Sequence, residues 1–209
     1  MILKNLFFTI LIILNFNMLF SQDTNMIINP KNNWYLGLEL GLNGIQSYNF
    51  DENKRSFQFG FTSEYYFSKN WSFNARLKYF KTGLSFKNSG YNVFNGAVIS
   101  IPLNIKWEFK IYKNLRINFM AGFVFNQEIK SKYNYPSKPE ANYSNFYVNL
   151  NSGFGFNYFL NKNTAIFLNH EIYVLGNDRQ DSGWEGLKIV PVTPNNNLLN
   201  IGIKYNFKN

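Results

Sequence analysis

Residues 34–43 read Trp-Tyr-Leu-Gly-Leu-Glu-Leu-Gly-Leu-Asn, with a large apolar side chain at every even position up to Leu42. Side chains alternate between the two faces of a β-strand, so one face of this segment is continuously apolar, whereas the other holds residues such as Gly37, Glu39 and Gly41. The same alternation recurs in seven later segments, at about 56–67, 71–82, 97–109, 115–126, 146–160, 164–173 and 198–207. The sequence therefore predicts an all-β fold with eight strands.

The first 21 residues have the composition of a secretion signal. Lys4 precedes a short apolar run from Leu6 to Leu14, and Ser21 is a small residue before a cleavage point at Gln22; an uncleaved anchor is the alternative. No later apolar run reaches the ~18 residues of a spanning helix, whereas tilted strands of ~9–11 residues can cross a bilayer. We expect residues 1–21 to be a signal peptide, 22–33 a short N-terminal periplasmic segment, and 34–209 an eight-stranded antiparallel up-and-down transmembrane β-barrel.

The composition favours a membrane environment. Aromatic residues form 20% of the chain and charged residues 16%, below the ~25% charged residues of typical soluble domains. The absence of cysteine excludes disulfides, thiolate metal sites and a lipidated N-terminal cysteine. Removing Lys4 lowers the formal charge from +9 to +8, which favours contact with anionic lipid headgroups. The basic residues are scattered, so we expect no nucleic-acid partner.

The connections between the strands alternate in length. Three tight turns share a Lys-Asn pair, at Ser68-Lys69-Asn70, Tyr112-Lys113-Asn114 and Asn161-Lys162-Asn163, whereas the other four connections, at about 46–55, 83–96, 127–145 and 174–197, are long. Short turns on one rim and long loops on the other are typical of an outer-membrane barrel in a Gram-negative bacterium. We expect the turns in the periplasm and the loops outside, where aromatic residues could contact a protein partner.

Two sets of residues are the candidate functional features. Aromatic residues of the short-turn rim would form a girdle at the lipid–water interface: Trp34, Phe67, Trp71, Trp107, Tyr158, Tyr205 and Phe207. The inward phase of the strands carries four acids and five bases: Glu39, Glu64, Arg76, Lys78, Lys106, Glu108, Arg116, Glu171 and Lys204. Side chains fill a barrel of eight strands, so these charges need partners, and we expect a network that plugs the lumen. A proton or ion path is the alternative.

Three local expectations follow from single residues. Glu39 and Lys204 are candidate partners because the first and last strands must pair. Pro102 lies inside the fourth strand and predicts a local bulge, because proline cannot donate a ladder hydrogen bond. His170 falls in the lipid-facing phase without a nearby serine, so we expect no catalytic triad, no metal site and no cofactor.

Several short motifs resemble the PorT-like family of outer-membrane β-barrels. They are Ile101-Pro102-Leu103, Ala121-Gly122, Gly153-Phe154-Gly155 and the closing segment 201–207, Ile-Gly-Ile-Lys-Tyr-Asn-Phe. The resemblance covers about 34–207. It implies an outer-membrane location and brings no catalytic residues.

The leading hypothesis is a non-enzymatic outer-membrane barrel with a structural or interaction role in the cell envelope, as an accessory of a secretion or surface-attachment complex. Its partners would be outer-membrane lipids and a protein bound through the long loops. A narrow channel for small ions is the alternative, followed by a lipid-modifying enzyme. A soluble lipocalin-like carrier is disfavoured, because its ligand cavity would contain nine charges.

Overall fold

The computed structural model describes residues 29–46, 52–53, 55–85, 92–133, 146–174 and 195–207. Within these ranges the chain forms nine strands: β1 (Trp34–Gln46), β2 (Glu52–Asn53), β3 (Arg55–Tyr66), β4 (Trp71–Ser85), β5 (Asn92–Tyr112), β6 (Leu115–Tyr133), β7 (Phe146–Phe159), β8 (Thr164–Val174) and β9 (Asn195–Tyr205). These described residues include no helix that is long and apolar enough to span a membrane. The predicted signal peptide at 1–21 lies outside the described residues.

Eight of the strands close into a barrel. Each long strand pairs antiparallel with its neighbours in the chain, and β1 pairs with β9 to complete the ring. The remaining strand, β2, is two residues long and pairs with the end of β4 outside the ring. Closure gives every long strand a hydrogen-bonded neighbour on both sides, which a strand in hydrocarbon requires. The predicted all-β, eight-stranded antiparallel barrel is confirmed, whereas β2 was not predicted.

The strands β5 and β6 are longer than the sequence predicts. They contain 21 and 19 residues, and their ladder continues to the pair Phe94 and Tyr133, beyond an irregularity between Ala97 and Val98. The apolar alternation ends before these extensions because they carry residues such as Asn95 and Gly96. Backbone pairing persists there without the side-chain pattern, and the boundaries predicted at 97–109 and 115–126 are too short.

The bulge predicted at Pro102 is wrong. Ala75 pairs with Leu103 and Lys78 pairs with Ser100 in one unbroken register. The β4 ladder omits Pro102 itself, while on the other side Pro102 pairs with Val124 of β6. The strand thus accommodates the missing N–H by losing local pairing on one side, with no inserted residue.

The two faces of the wall have opposite character. Outward apolar side chains are widely exposed, for example Leu40 at 64% and Ile201 at 55%. The residues between them are buried, and the burial pattern of β8 alternates along its length. An apolar exterior around a polar interior is the arrangement of a transmembrane barrel and the inverse of a soluble one.

The barrel has a turn end and a loop end. At the turn end, residues 67–70, 113–114 and 160–163 join β3 to β4, β5 to β6 and β7 to β8. The Ser68 hydroxyl accepts hydrogen bonds from the N–H groups of Asn70 and Trp71, and the Asn161 side chain accepts two in the same way. Lys113 has a φ of 36°. These short polar side chains and the left-handed residue produce the tight reversals.

We expect the lipid-facing position of Leu103 to be sensitive to charge according to its depth. Leu103→Arg should lower the free energy of unfolding by ~2–4 kcal/mol, whereas Leu36→Arg, near the turn end, should cost ~0–1 kcal/mol. Urea titration of the folded chain in phospholipid vesicles measures both. Equal losses for the two variants would contradict the assigned position of the wall in the bilayer.

Candidate functional site

The interior of the barrel contains all nine charged residues of the inward phase. Each has a relative exposure of 3% or less. They come from β1, β3, β4, β5, β6, β8 and β9, so the closure of the sheet brings together residues that are far apart in the sequence. A charge in such an interior is stable only when it is paired and hydrogen-bonded. The structure arranges the nine residues in two clusters.

The central cluster consists of Glu39, Arg76, Lys78 and Glu171. Both terminal nitrogens of Arg76 bind the two carboxylate oxygens of Glu171, at 2.5 and 2.6 Å. Lys78 Nζ lies 3.1 Å from Glu171 Oε1 and 3.2 Å from Glu39 Oε1. Two acids and two bases meet here, so the cluster has no net charge when all four are ionised. The bidentate pair is the strongest arrangement available to these groups.

The turn-side cluster consists of Glu64, Lys106, Glu108, Arg116 and Lys204. Lys204 Nζ lies 2.6 Å from Glu64 Oε2, and Lys106 Nζ lies 3.0 Å from Glu64 Oε1. Glu108 is 3.5 Å from Arg116 and 3.6 Å from Lys106. Two acids meet three bases, so the cluster has one positive charge in excess when all five are ionised.

The pairing predicted between Glu39 and Lys204 is wrong. In the β1–β9 ladder Lys204 is opposite Gly37, while Glu39 is opposite Gly202. Lys204 binds Glu64 on β3, and Glu39 binds Lys78 and Arg76 on β4. Strand adjacency alone did not reveal these partners because the side chains reach across the lumen to strands beyond the nearest one.

Glycines make room for the long charged side chains. Glu39 has a glycine directly opposite on each neighbouring strand, Gly60 on β3 and Gly202 on β9. A Cβ at Gly60 would lie 3.1 Å from Lys78 Cγ and 3.2 Å from Glu39 Oε1. Small residues opposite large ones are how a narrow barrel accommodates its contents.

An aromatic cluster and an apolar cluster lie beyond the charged residues. The turn-side aromatic cluster is formed by Tyr35, Tyr66, Phe159 and Ala165, and Lys204 Nζ lies 5.1 Å from the Tyr66 ring and 5.4 Å from the Tyr35 ring. The Tyr66 hydroxyl donates to Glu108 at 2.9 Å. The loop-side apolar cluster is formed by Phe80, Val98, Val124, Tyr173 and Leu198. The interior is therefore layered from end to end.

Amide side chains fill the space between these layers. Among the described residues, twelve buried asparagines line the lumen: Asn43, Asn74, Asn104, Asn118, Asn126, Asn149, Asn151, Asn157, Asn169, Asn196, Asn200 and Asn206. Asn151 and Asn200 both donate to Glu171, at 2.9 and 2.5 Å. Reasoning from charge missed these residues and also Glu128, which is buried on the extended part of β6. The sequence does contain a pattern that predicts the buried asparagines, because asparagine recurs in the inward phase of β6, β7 and β9.

The aromatic residues proposed as a girdle all lie on the exterior at the turn end. Their relative exposures run from 40% at Phe67 and Trp107 to 70% at Phe207. Neighbouring rings contact each other, with centroids 6.3 Å apart for Trp71 and Trp107 and 4.9 Å apart for Tyr205 and Phe207. Tryptophan and tyrosine, which form most of this set, are enriched at the boundary between hydrocarbon and headgroups.

His170 points away from the lumen and its charged clusters. Its ring lies on the outer face of β8, with its centroid 5.6 Å from that of Phe154, and its strand partners are Phe154 and Leu199. Among the residues that the structure describes, no three His, Cys, Asp or Glu side chains are grouped to hold a metal ion.

An apolar exterior, a closed ring of eight strands and a charged, layered interior define a transmembrane β-barrel. The chain belongs to the family described as the outer membrane protein beta-barrel domain, which matches residues 23–207. The protein is accordingly located in the outer membrane of a Gram-negative bacterium. No curated protein matches the sequence.

Solved barrels from several bacteria share the fold. OprG from Pseudomonas aeruginosa is 11% identical, with a TM-score of 0.57 over 88% of this chain and 100% of that one. Neisserial surface protein A is 12% identical, with a TM-score of 0.55 over 83% and 97%. Ail, the attachment invasion locus protein of Yersinia pestis, is 13% identical, with a TM-score of 0.52 over 85% and 99%. At these identities the likeness establishes the fold alone.

We expect the Arg76–Glu171 pair to dominate the stability of the interior. Arg76→Met leaves two carboxylates sharing Lys78 and should cost ~3–5 kcal/mol of unfolding free energy. The double variant Arg76→Met, Glu171→Gln should cost less than Arg76→Met alone, because Glu39 and Lys78 then remain as a balanced pair. Urea unfolding of the single and double variants in vesicles measures the free energies of this double-mutant cycle.

Lys204→Met is the control for this cycle. It removes the excess charge of the turn-side cluster and leaves Glu64 paired with Lys106, so it should cost less than Arg76→Met. Additive losses for the Arg76 and Glu171 substitutions, or an equal loss for Lys204→Met, would contradict the division into two clusters.

Proposed function

We propose that the protein is a closed, non-enzymatic barrel that serves a structural or interaction role in the envelope. The observation that carries this proposal is the filled lumen. Two ion-pair clusters occupy its middle, and an aromatic and an apolar cluster lie beyond them. A barrel built this way provides a rigid anchor in the membrane, and its working surfaces are its rims and connecting segments.

The direction of the barrel in the membrane is part of this proposal. Short turns on the periplasmic side and long connections outside are the usual arrangement of outer-membrane barrels. The turn end, with its exposed aromatic residues, would face the periplasm, and the long connections would face the medium. Ail has been crystallised with sucrose octasulfate, a heparin analogue, which supports an external ligand or partner for the loop end of this barrel. The resemblance to PorT-like barrels supports an accessory role in a secretion or surface-attachment complex.

A narrow ion channel is the second candidate, and the asparagine lining favours it. Amide oxygens can coordinate an ion in place of its hydration shell, and twelve asparagine side chains are buried among the described residues. The ion pairs oppose conduction, because a passing ion would have to displace partners such as Arg76 and Glu171, which are 2.5 Å apart. A lipid-modifying enzyme has less support, since His170 packs beside Phe154 while its chain neighbours Asn169 and Glu171 are buried on the lumen side.

Conductance separates these two functions. In planar bilayers the folded chain should show no steady current, because the paired charges and the two clusters beyond them close the lumen. The control is Arg76→Ala with Glu171→Ala, which empties the central cluster and should increase transient openings if the chain remains folded. Steady wild-type currents that change in ion selectivity with Glu171→Gln would establish the channel and overturn the proposal.

A further inference from the structure

The turn end of the barrel carries a uniformly basic rim. Among the described residues of this end, at 29–33, 67–70, 110–114, 160–163 and 206–207, there are five lysines and no aspartate or glutamate. The lysines are Lys31, Lys69, Lys110, Lys113 and Lys162, and all five are exposed. We call this set the basic rim. Four of them precede an asparagine in a turn or at the entry to β1, and Lys110 lies near the end of β5.

Contacts from the lumen hold two of these turns in place. Arg116 of the turn-side cluster donates to the carbonyl oxygen of Lys69 at 3.0 Å. The hydroxyl of Tyr35 donates to the carbonyl oxygen of Lys162 at 3.0 Å. The backbone beneath these two lysines is thus fixed by buried residues, and their ammonium groups are presented at defined places on the rim.

The basic rim directly adjoins the outward aromatic residues. Lys69 lies two residues before Trp71, the first residue of β4, and Lys113 Nζ lies 5.4 Å from the centre of the Tyr112 ring. Outward tryptophan and tyrosine side chains lie at the level of lipid headgroups. The lysines therefore lie at the level of lipid phosphates, and an anionic surface attracts lysine side chains near it.

A groove on the outer wall continues from this rim into the apolar surface. Its volume is about 690 Å³, and it is lined by Asn32, Trp34, Leu36, Ser63, Tyr65, Asn206 and Phe207. Its aromatic sides include Trp34 and Tyr65, whose ring centroids are 4.9 Å apart. Asn32 forms part of its polar end, and Lys31 is the adjacent residue. Asn32 lies at the rim end of the groove, whereas Leu36 and Ser63, which are opposite each other in the β1–β3 ladder, lie at its membrane end.

We propose that the basic rim binds anionic phospholipids, and that the groove seats one phospholipid with its phosphate at Lys31 and a chain along Leu36. The groove is continuous with the apolar outer wall, and it extends from Asn32, the residue next to Lys31, to Leu36. The lysines are distributed over the three turns, the end of β5 and the segment before β1, so a surrounding layer of headgroups can meet all of them, whereas a protein would contact one side. In the proposed orientation this lipid belongs to the inner leaflet.

Quenching of tryptophan fluorescence by brominated lipids tests whether the basic rim binds anionic phospholipids. The full-length chain, with Trp184→Phe to remove background, is folded into phosphatidylcholine vesicles that contain brominated phosphatidylglycerol or, separately, brominated phosphatidylcholine at the same mole fraction. Trp34, Trp71 and Trp107 then report lipids at the turn end. We expect phosphatidylglycerol to be preferred by up to about fivefold at low salt, and less at high salt. Both leaflets have the same composition, so insertion direction does not affect the result.

Matched variants show which lysines produce the preference for phosphatidylglycerol. The triple variant Lys69→Gln, Lys113→Gln, Lys162→Gln should abolish most of the preference, whereas Lys81→Gln, Lys130→Gln, Lys132→Gln makes the same charge change at the loop end and should retain it. No preference in the parent, or equal loss in both variants, would overturn the proposal. Displacement by inorganic phosphate at constant ionic strength would also overturn it and indicate a simple anion site. A rim-dependent affinity for polyglutamate without a lipid preference would indicate an acidic protein.

A single-tryptophan variant tests the groove. In the chain that retains only Trp34, Lys31→Gln should remove the phosphatidylglycerol preference, while in the chain that retains only Trp107 the same change should leave it. Equal effects of Lys31→Gln at Trp34 and at Trp107 would contradict the binding of a phospholipid in the groove. These outcomes are independent of conductance, so failure of the lipid site and failure of the closed-barrel function are distinguishable.

Discussion

Pairing of charges inside a narrow ring of strands is the constraint on which this structure depends. Eight strands enclose a space that side chains can fill, so an inward charge meets protein groups in place of bulk water. The bidentate contact of Arg76 with Glu171 pairs the two ions through both terminal nitrogens, and Lys78 joins Glu171 to Glu39. Glycines opposite Glu39 give the space this arrangement needs. A buried ion pair is costly to break even where it adds little net stability.

The same constraint connects the interior to the rim. Arg116 and Tyr35 are buried in the turn-side layers, yet each also holds the backbone of a turn through a lysine carbonyl. The layers that fill the lumen therefore also shape the turn end of the barrel. In this way a barrel whose interior is filled with side chains presents an ordered, charged rim.

The sequence was sufficient for the architecture and for the direction in which side chains point. Alternation along segments such as 34–42 distinguishes the two faces, because a shift by one residue would expose every inward charge to lipid. The ends of β5 and β6 were not predictable, since their ladder continues through Asn95 and Gly96 after the alternation stops. The ladder past Pro102 also differed, because loss of local pairing and insertion of a bulge look the same in a sequence.

Partners across the lumen were the hardest feature to predict. Lys204 binds Glu64 across strand β1, which lies between their two strands. Such contacts depend on barrel shear and side-chain length, which alternation does not encode. The asparagines were not predicted because a search for charged residues does not select neutral amides. These amides nevertheless donate hydrogen bonds to groups such as the Glu171 carboxylate.

The most direct test of a closed lumen is the exchange of lysine ammonium protons with water. Nitrogen-15 NMR of the folded chain in lipid nanodiscs can distinguish Lys78 and Lys106, which are at most 2% exposed, from the exposed Lys69. A sealed, paired interior requires slow exchange at Lys78 and Lys106 and fast exchange at Lys69. Exchange at Lys78 as fast as at Lys69 would show that water enters the lumen freely and would contradict the account.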